Sequence, residues 1–182
     1  MPARHLTLAA ITTLVLTPAA GQAEPSNFRL GTGLFSASIE HAPDWLTDGS
    51  QQGFSVFGEF PQSNYAASRF ILYRINGADG VRMQGGETQL MWGWGLAQPG
   101  PRAYTGPAWH YDKMLVQRSD GDHYRVFNGW GWQIGMGFQF RAVTLDVAAT
   151  WRDADDYNSE IKRTGHRDTN VWTRNLLLSY RF

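Results

Sequence analysis

The stretch YRVFNGWGWQIGMGFQF, residues 124–140, constrains the fold more than any other part of the chain. Its even positions are Tyr124, Val126, Asn128, Trp130, Trp132, Ile134, Met136, Phe138 and Phe140, all apolar except Asn128. Its odd positions are Arg125, Phe127, Gly129, Gly131, Gln133, Gly135, Gly137 and Gln139, which are glycine or polar except Phe127. A period of two belongs to a strand, because successive Cβ atoms point to opposite faces. A helix would put Gly129, Trp132 and Gln133 on one stripe and mix the two classes. The run far exceeds the usual strand of about 5–6 residues. It also carries more Trp and Phe than one face of a small soluble sheet needs, so the solvent that meets this face becomes the question.

The amino terminus bears on that question. MPARHLTLAAITTLVLTPAAGQA has a basic start at Arg4, an uncharged segment from Leu6 to Leu16, then Pro18 and small residues. This is the layout of a secretory signal peptide over residues 1–23, with cleavage expected after Ala23. The apolar run is shorter than the ~20 residues a spanning helix needs. Residues 24–182 are then expected to form one domain. They contain no second apolar run of helical spanning length. The chain has no cysteine, which excludes a disulfide framework or thiolate metal site. Lys and Arg number 16 and so do Asp and Glu, so no basic footprint argues for nucleic acid. An exported chain rich in Trp, Tyr, Phe and Gly, without long apolar runs, fits a transmembrane barrel, in which lipid-facing and lumen-facing residues alternate.

Other segments repeat the alternation. In AVTLDVAATW, Val143, Leu145, Val147, Ala149 and Trp151 share one face. Phe140 and Val143 then lie on the same face across a two-residue turn, as a hairpin requires. The carboxy-terminal VWTRNLLLSYRF places Tyr180, Leu178, Leu176, Arg174 and Trp172 in one row. In ETQLMWGWGLA, the expected outward row is Leu90, Trp92, Trp94 and Leu96. Pro107 removes one ladder hydrogen bond from the next strand and is expected to mark a bulge. The facing of the first and third strands stays open, because Arg69 opposes one choice and Arg74 the other.

Eight strands are expected near residues 28–40, 53–60, 65–75, 87–97, 103–116, 124–140, 142–152 and 171–182. Short turns are expected at 61–64, 98–102 and 141–142, and longer links at 41–52, 76–86, 117–123 and 153–170. The fold class is all-β: an eight-stranded antiparallel transmembrane up-and-down β-barrel, with turns in the periplasm and loops outside. Trp109, Trp130, Trp151 and Trp172 are expected at the loop ends of their strands, and Phe138, Phe140, Tyr180 and Phe182 at the turn ends. With Trp132 they would form two aromatic belts, one at each membrane surface. Closure is required, because an open edge in hydrocarbon leaves backbone groups unpaired.

The final aromatic, with apolar residues at every second place before it, resembles the carboxy-terminal strand of bacterial outer-membrane barrels. The whole plan is similar to the small eight-stranded family of outer-membrane protein X, the Ail and opacity proteins, and the barrel of outer-membrane protein A. That resemblance implies the bacterial outer membrane as location. It implies contact with outer-membrane lipid and lipopolysaccharide, and recognition of the last strand by the barrel-assembly machinery. It also implies adhesion, with a host or cell-surface ligand, or envelope integrity, with the loops as contact surface.

The expected loop contacts are Trp45, Asp153, Asp155, Asp156, Glu160, Lys162, Arg163 and Arg167, the plain alternative being solvated loops. The expected lumen network is Glu59, Gln89, His110, Asp112, Arg125, Gln133, Gln139, Asp146 and Arg181, with Arg69 or Arg74 added by register. Charges in a narrow lumen need partners. Two accounts of the inward glycines compete: they make room for bulky inward neighbours, or they leave a pocket for an acyl chain. An enzyme would need an activated nucleophile beside a base. No His is followed two places on by Ser, as in the lipid A deacylase barrels, and His110–Asp112 is the one inward His–Asp pair. No cofactor, metal or nucleic acid is expected. The expected function is a non-enzymatic barrel for surface interaction or envelope integrity. The alternatives are a lipid A-modifying enzyme and a narrow ion or solute channel.

Overall fold

The computed structural model describes residues 28–40, 49–77, 82–118, 121–155 and 169–182, and of 116–118 and 121–123 only the backbone. The expected signal peptide, residues 1–23, lies outside the described residues. Eight strands run β1 (Arg29–Glu40), β2 (Gly49–Pro61), β3 (Ala66–Asn76), β4 (Arg82–Trp94), β5 (Gly100–Arg118), β6 (Gly121–Phe140), β7 (Val143–Arg152) and β8 (Asn170–Arg181). Each pairs antiparallel with its neighbours in sequence, and β1 pairs with β8, so the sheet closes.

The dyad pattern dictates this wall. Along β6, Trp130, Trp132, Ile134, Met136, Phe138 and Phe140 are 47–65% exposed, while Phe127, Gln133 and Gln139 are buried. Following paired positions from Lys113 through Arg74, Leu34 and Val147 once around the barrel returns to β5 at Ala103, ten residues along that strand. With ~3.3 Å rise per residue and ~4.8 Å between strands, a stagger of ten over eight strands tilts them by about 40°. A barrel of this size has room for interior side chains rather than a wide channel.

The structure fixes the two open facings. Arg29, Phe35, Ala37 and Ile39 of β1 point inward, as do Arg69, Ile71, Tyr73 and Ile75 of β3; Arg74 is exposed on the outer face. The turn from Phe140 to Val143 pairs those two residues as expected, with Arg141 in the left-handed region at φ 54°.

Four local expectations are corrected. Of the link expected at 117–123, residues 117–118 and 121–123 are instead strand: β5 and β6 stay paired up to Arg118 and Gly121, forming a hairpin longer than its neighbours. Trp109 and Trp130, which pair with each other, therefore sit inside long strands and not at their loop ends. Leu96, expected on the outer face, is fully buried in the β4–β5 turn, where its N–H donates to the Asn64 carbonyl. Pro107 marks no bulge: the offset is the same at Gln89↔Ala108 and at Trp92↔Thr105, so no residue is inserted, although the pairing is interrupted between them. Leu90 is the position opposite Pro107, which has no N–H to offer it. The Gln133 side-chain amide donates to the Leu90 carbonyl at 3.2 Å instead.

Candidate functional site: the filled lumen

The lower lumen is organised around Glu59. Glu59 on β2 stands directly across from Arg69 on β3, so the hairpin itself places acid beside base. Arg69 donates to Glu59 Oε2 from Nη2 at 2.6 Å and from Nε at 3.0 Å. Its Nη2 also donates to Asp146 Oδ2 at 2.9 Å. Arg102 Nη2 donates to Glu59 Oε1 at 2.8 Å, and its Nε lies 3.3 Å from Asp146 Oδ1. Arg29 donates to both Glu59 and Gln139. The Arg69 guanidinium lies 5.4 Å from the Phe57 ring centroid and 5.0 Å from that of Tyr104, whose Oη accepts from Nη1 at 2.9 Å.

A second cluster lies towards the loops. Arg152 Nη1 donates to Asp112 Oδ2 at 2.9 Å, and its Nη2 donates to Glu87 and, at 3.1 Å, to Tyr73 Oη. Tyr73 Oη donates to Asp112. Thr150 Oγ1 donates to Glu87 Oε1 at 3.0 Å. Gln89 joins the clusters: its Nε2 donates to Glu87 at 2.6 Å and its Oε1 accepts from Arg69 at 3.4 Å. Four guanidiniums (Arg29, Arg69, Arg102, Arg152) thus meet four carboxylates (Glu59, Glu87, Asp112, Asp146), all buried. The equal count matters, because an unpaired charge here would carry the full desolvation cost. Nearer the loops the lumen is apolar, packed with Ile39, Ile75, Met83, Met114 and Phe127.

The expected network residues divide accordingly. Glu59, Gln89, Asp112, Gln139 and Asp146 are brought together in it. Gln133 is buried but serves the Leu90 carbonyl. Arg181 is half-buried at the turn end and donates to the Ala97 carbonyl at 2.9 Å. Arg125 is exposed, which corrects its expected place among the buried groups; it lies beyond Phe127 where the hairpin extends outward. His110 is buried, with Nε2 4.0 Å from Asp112 Oδ2, but both Asp112 oxygens already accept from Tyr73 and Arg152. That arrangement holds an aspartate in a structural network and leaves it poorly placed to orient a catalytic imidazole.

Asp153 and Asp155 are exposed at the end of β7, where Asp155 N–H donates to Asp153 Oδ1 at 3.1 Å. Trp45, Asp156, Glu160, Lys162, Arg163 and Arg167 lie outside the described residues. Trp132, Trp151 and Trp172 occupy paired outer positions towards the loops, with the last two rings 4.7 Å apart. Phe138, Phe140, Tyr180 and Phe182 are exposed at the turn end, where Phe28 and Phe60 join them. Sequence reasoning missed Arg29, Glu87, Arg102 and Arg152, and the tyrosines Tyr73 and Tyr104.

The glycine rows are occupied by their neighbours. Tyr104 lies directly across from Gly135, and a Cβ there would clash with the Tyr104 phenol at Cζ, Cε2 and Oη. A Cβ on Gly137 would meet the Asp146 carboxylate. The first account of the inward glycines therefore describes these positions. Gly135→Val is expected to cost about 1–3 kcal/mol, as overpacking does. In a Tyr104→Ala background, urea unfolding in lipid vesicles should show most of that cost gone.

The fold is shared with solved small eight-stranded outer-membrane barrels. The attachment invasion locus protein Ail of Yersinia pestis superposes with a TM-score of 0.56 at 13% identity, covering 86% of this chain and 99% of that one. Neisserial surface protein A gives 0.63 at 13% identity, covering 85% and 97%. The amino-terminal barrel domain of Pseudomonas aeruginosa OprF gives 0.57 at 10% identity, covering 86% and 98%. No family model matches the sequence, and no curated protein does either. The class that fold and lumen define is the eight-stranded antiparallel transmembrane barrel with a filled interior.

Proposed function

We propose that this chain is exported by its amino-terminal segment, spans the bacterial outer membrane and acts there without catalysis, through its loops, in surface interaction or envelope integrity. The carrying observation is the lumen: charge-balanced, hydrogen-bonded and apolar towards the loops, it leaves the loops and the outer wall as the surfaces that can meet a partner. A host or cell-surface ligand would be met by the charged loop that begins at Asp153, and lipopolysaccharide by the rim and wall. The last strand, ending in Phe182, supplies the row of alternating apolar residues that the assembly machinery would read. The likeness to Ail, named for attachment and invasion, supports the adhesive form of this reading.

The test uses cells expressing the full chain or a variant with residues 154–168 replaced by a two-residue turn. Loss of adhesion or of resistance to detergent stress in the variant, with normal heat-modifiable folding, is the expected result. A changed acyl pattern of lipid A on expression would overturn the reading in favour of an enzyme. Stepwise conductance of the purified protein in planar bilayers would overturn it in favour of a channel.

A further inference from the structure

The barrel wall carries a furrow of about 540 Å³ across β6, β7, β8, β1 and β2. Its floor is the backbone along one paired row, from Gly135 through Asn175 to Gly53. Its walls are the outward side chains on either side of that row. Towards the turns these are Val147, Leu176 and Leu34, which are 43–54% exposed. Towards the loops they are Ala149, Arg174, Ser36 and Gln52, paired in that order across the strands. The small Ala149 and Ser36 open the furrow, because each stands where the opposite wall has a branched aliphatic side chain. Four interstrand steps make it about 19 Å long.

The strand tilt makes this furrow oblique. One end, at Gln52 and Ser36, lies near the loop ends of β1 and β2, where Ser36 and Ser50 hydroxyls pair at 2.8 Å. The other end, at Gly135, lies deep in the apolar part of β6. Arg174 is exposed on the furrow's loop-side edge, one outward position below Trp172. Its cross-strand neighbours Ser36 and Ala149 and its strand neighbours Trp172 and Leu176 carry no negative charge. A cation on the lipid face costs about 2–4 kcal/mol at the bilayer midplane and falls towards zero at the interface. A cation at this position is relieved of that cost by extending to the headgroups along its aliphatic stem, and a phosphate there matches the planar fork of an arginine.

We propose that this furrow is a lipid site. It takes one acyl chain of a phosphate-bearing, lipid A-class glycolipid of the outer leaflet, and Arg174 holds the phosphate. The site rests on the outer-membrane placement and wall contact with lipopolysaccharide proposed above, but not on the loops, whose adhesive role the loop-replacement variant tests separately.

Native mass spectrometry of the folded full chain, released from detergent with synthetic diphosphoryl lipid A, tests it. One lipid should be retained, with about tenfold weaker apparent affinity in Arg174→Gln, the loss of one charge-assisted contact. Dephosphorylated lipid A should bind the wild type no better than Arg174→Gln binds the phosphorylated form. Ala149→Phe, which fills the furrow, should also weaken retention; Ser36→Phe replaces it if that variant misfolds. Lys113→Gln removes an outward cation on β5, away from the furrow, and should behave as wild type. Equal retention by wild type, Arg174→Gln and the furrow-filling variant would overturn the proposal. So would an equal loss in Lys113→Gln, or a dimer in place of a lipid adduct.

Discussion

Glu59→Gln is expected to lower stability by about 3–5 kcal/mol, the cost of stripping one partner from a buried ionic cluster. Glu59 accepts from Arg29, Arg69 and Arg102, so its neutralisation leaves three guanidiniums around the single carboxylate of Asp146. The replacement is nearly isosteric, so cavity formation contributes little and the effect isolates charge. Reversible urea unfolding in lipid vesicles, followed by tryptophan fluorescence and by heat-modifiable migration, measures it. The double variant Glu59→Gln/Arg102→Gln restores the original excess charge of the cluster and should recover a large part of the loss. A cost under 1 kcal/mol for Glu59→Gln would mean that water or ions reach the lower lumen and screen the arginines.

The two clusters also compensate each other's charge. The lower one holds three arginines and two acids, the upper one Arg152 with Glu87 and Asp112. Each is off balance by one charge, in opposite directions. Gln89 spans them, with its amide aimed at Glu87 and its carbonyl at Arg69.

The alternation that defines the wall was legible because it is local: β6 and the β6–β7 turn follow from residue parity alone. The lumen network was legible only in part, because it depends on pairings remote in sequence. Arg69 and Arg74 fall in opposite rows, and β3 taken alone does not choose between them. Its partner does, since inward Glu59 stands across from Arg69 over a short turn. That signal was in the sequence. Glu87 and Arg102 were missed because the apolar rows set the expected strand starts at 87 and 103, whereas pairing begins at Arg82 and Gly100 and carries both residues into the lumen, and Arg152 because it follows Trp151, the residue taken to close its row. The β5–β6 extension was read as a loop because polar residues there break the apolar row, while backbone pairing continues regardless. The compensation of Pro107 by Gln133 is a contact across the sheet that no local pattern announces.

The dyad itself is tested most sharply at two adjacent residues. Ile134 is 47% exposed on the outer wall, whereas Gln133 is fully buried. Ile134 lies one outward position below the Trp132–Trp151 pair; Met136, the next outward position and 63% exposed, is midway between that pair and the Phe140 turn, so its side chain meets the middle of the hydrocarbon band. Met136→Arg is therefore expected to cost about 2–4 kcal/mol in bilayers, with the larger value if the guanidinium cannot reach either interface. The same substitution in a detergent micelle, whose surface is closer and more deformable, should cost less. Spin labels add a measurement that does not depend on stability: a label at Ile134 should collide with dissolved oxygen as membrane-embedded probes do, and one at Gln133 should be shielded from it. Equal oxygen accessibility at both sites would mean that lipid does not touch one row alone. In that case the assignment of outer and inner faces, and with it the lumen and the wall furrow, would fail together.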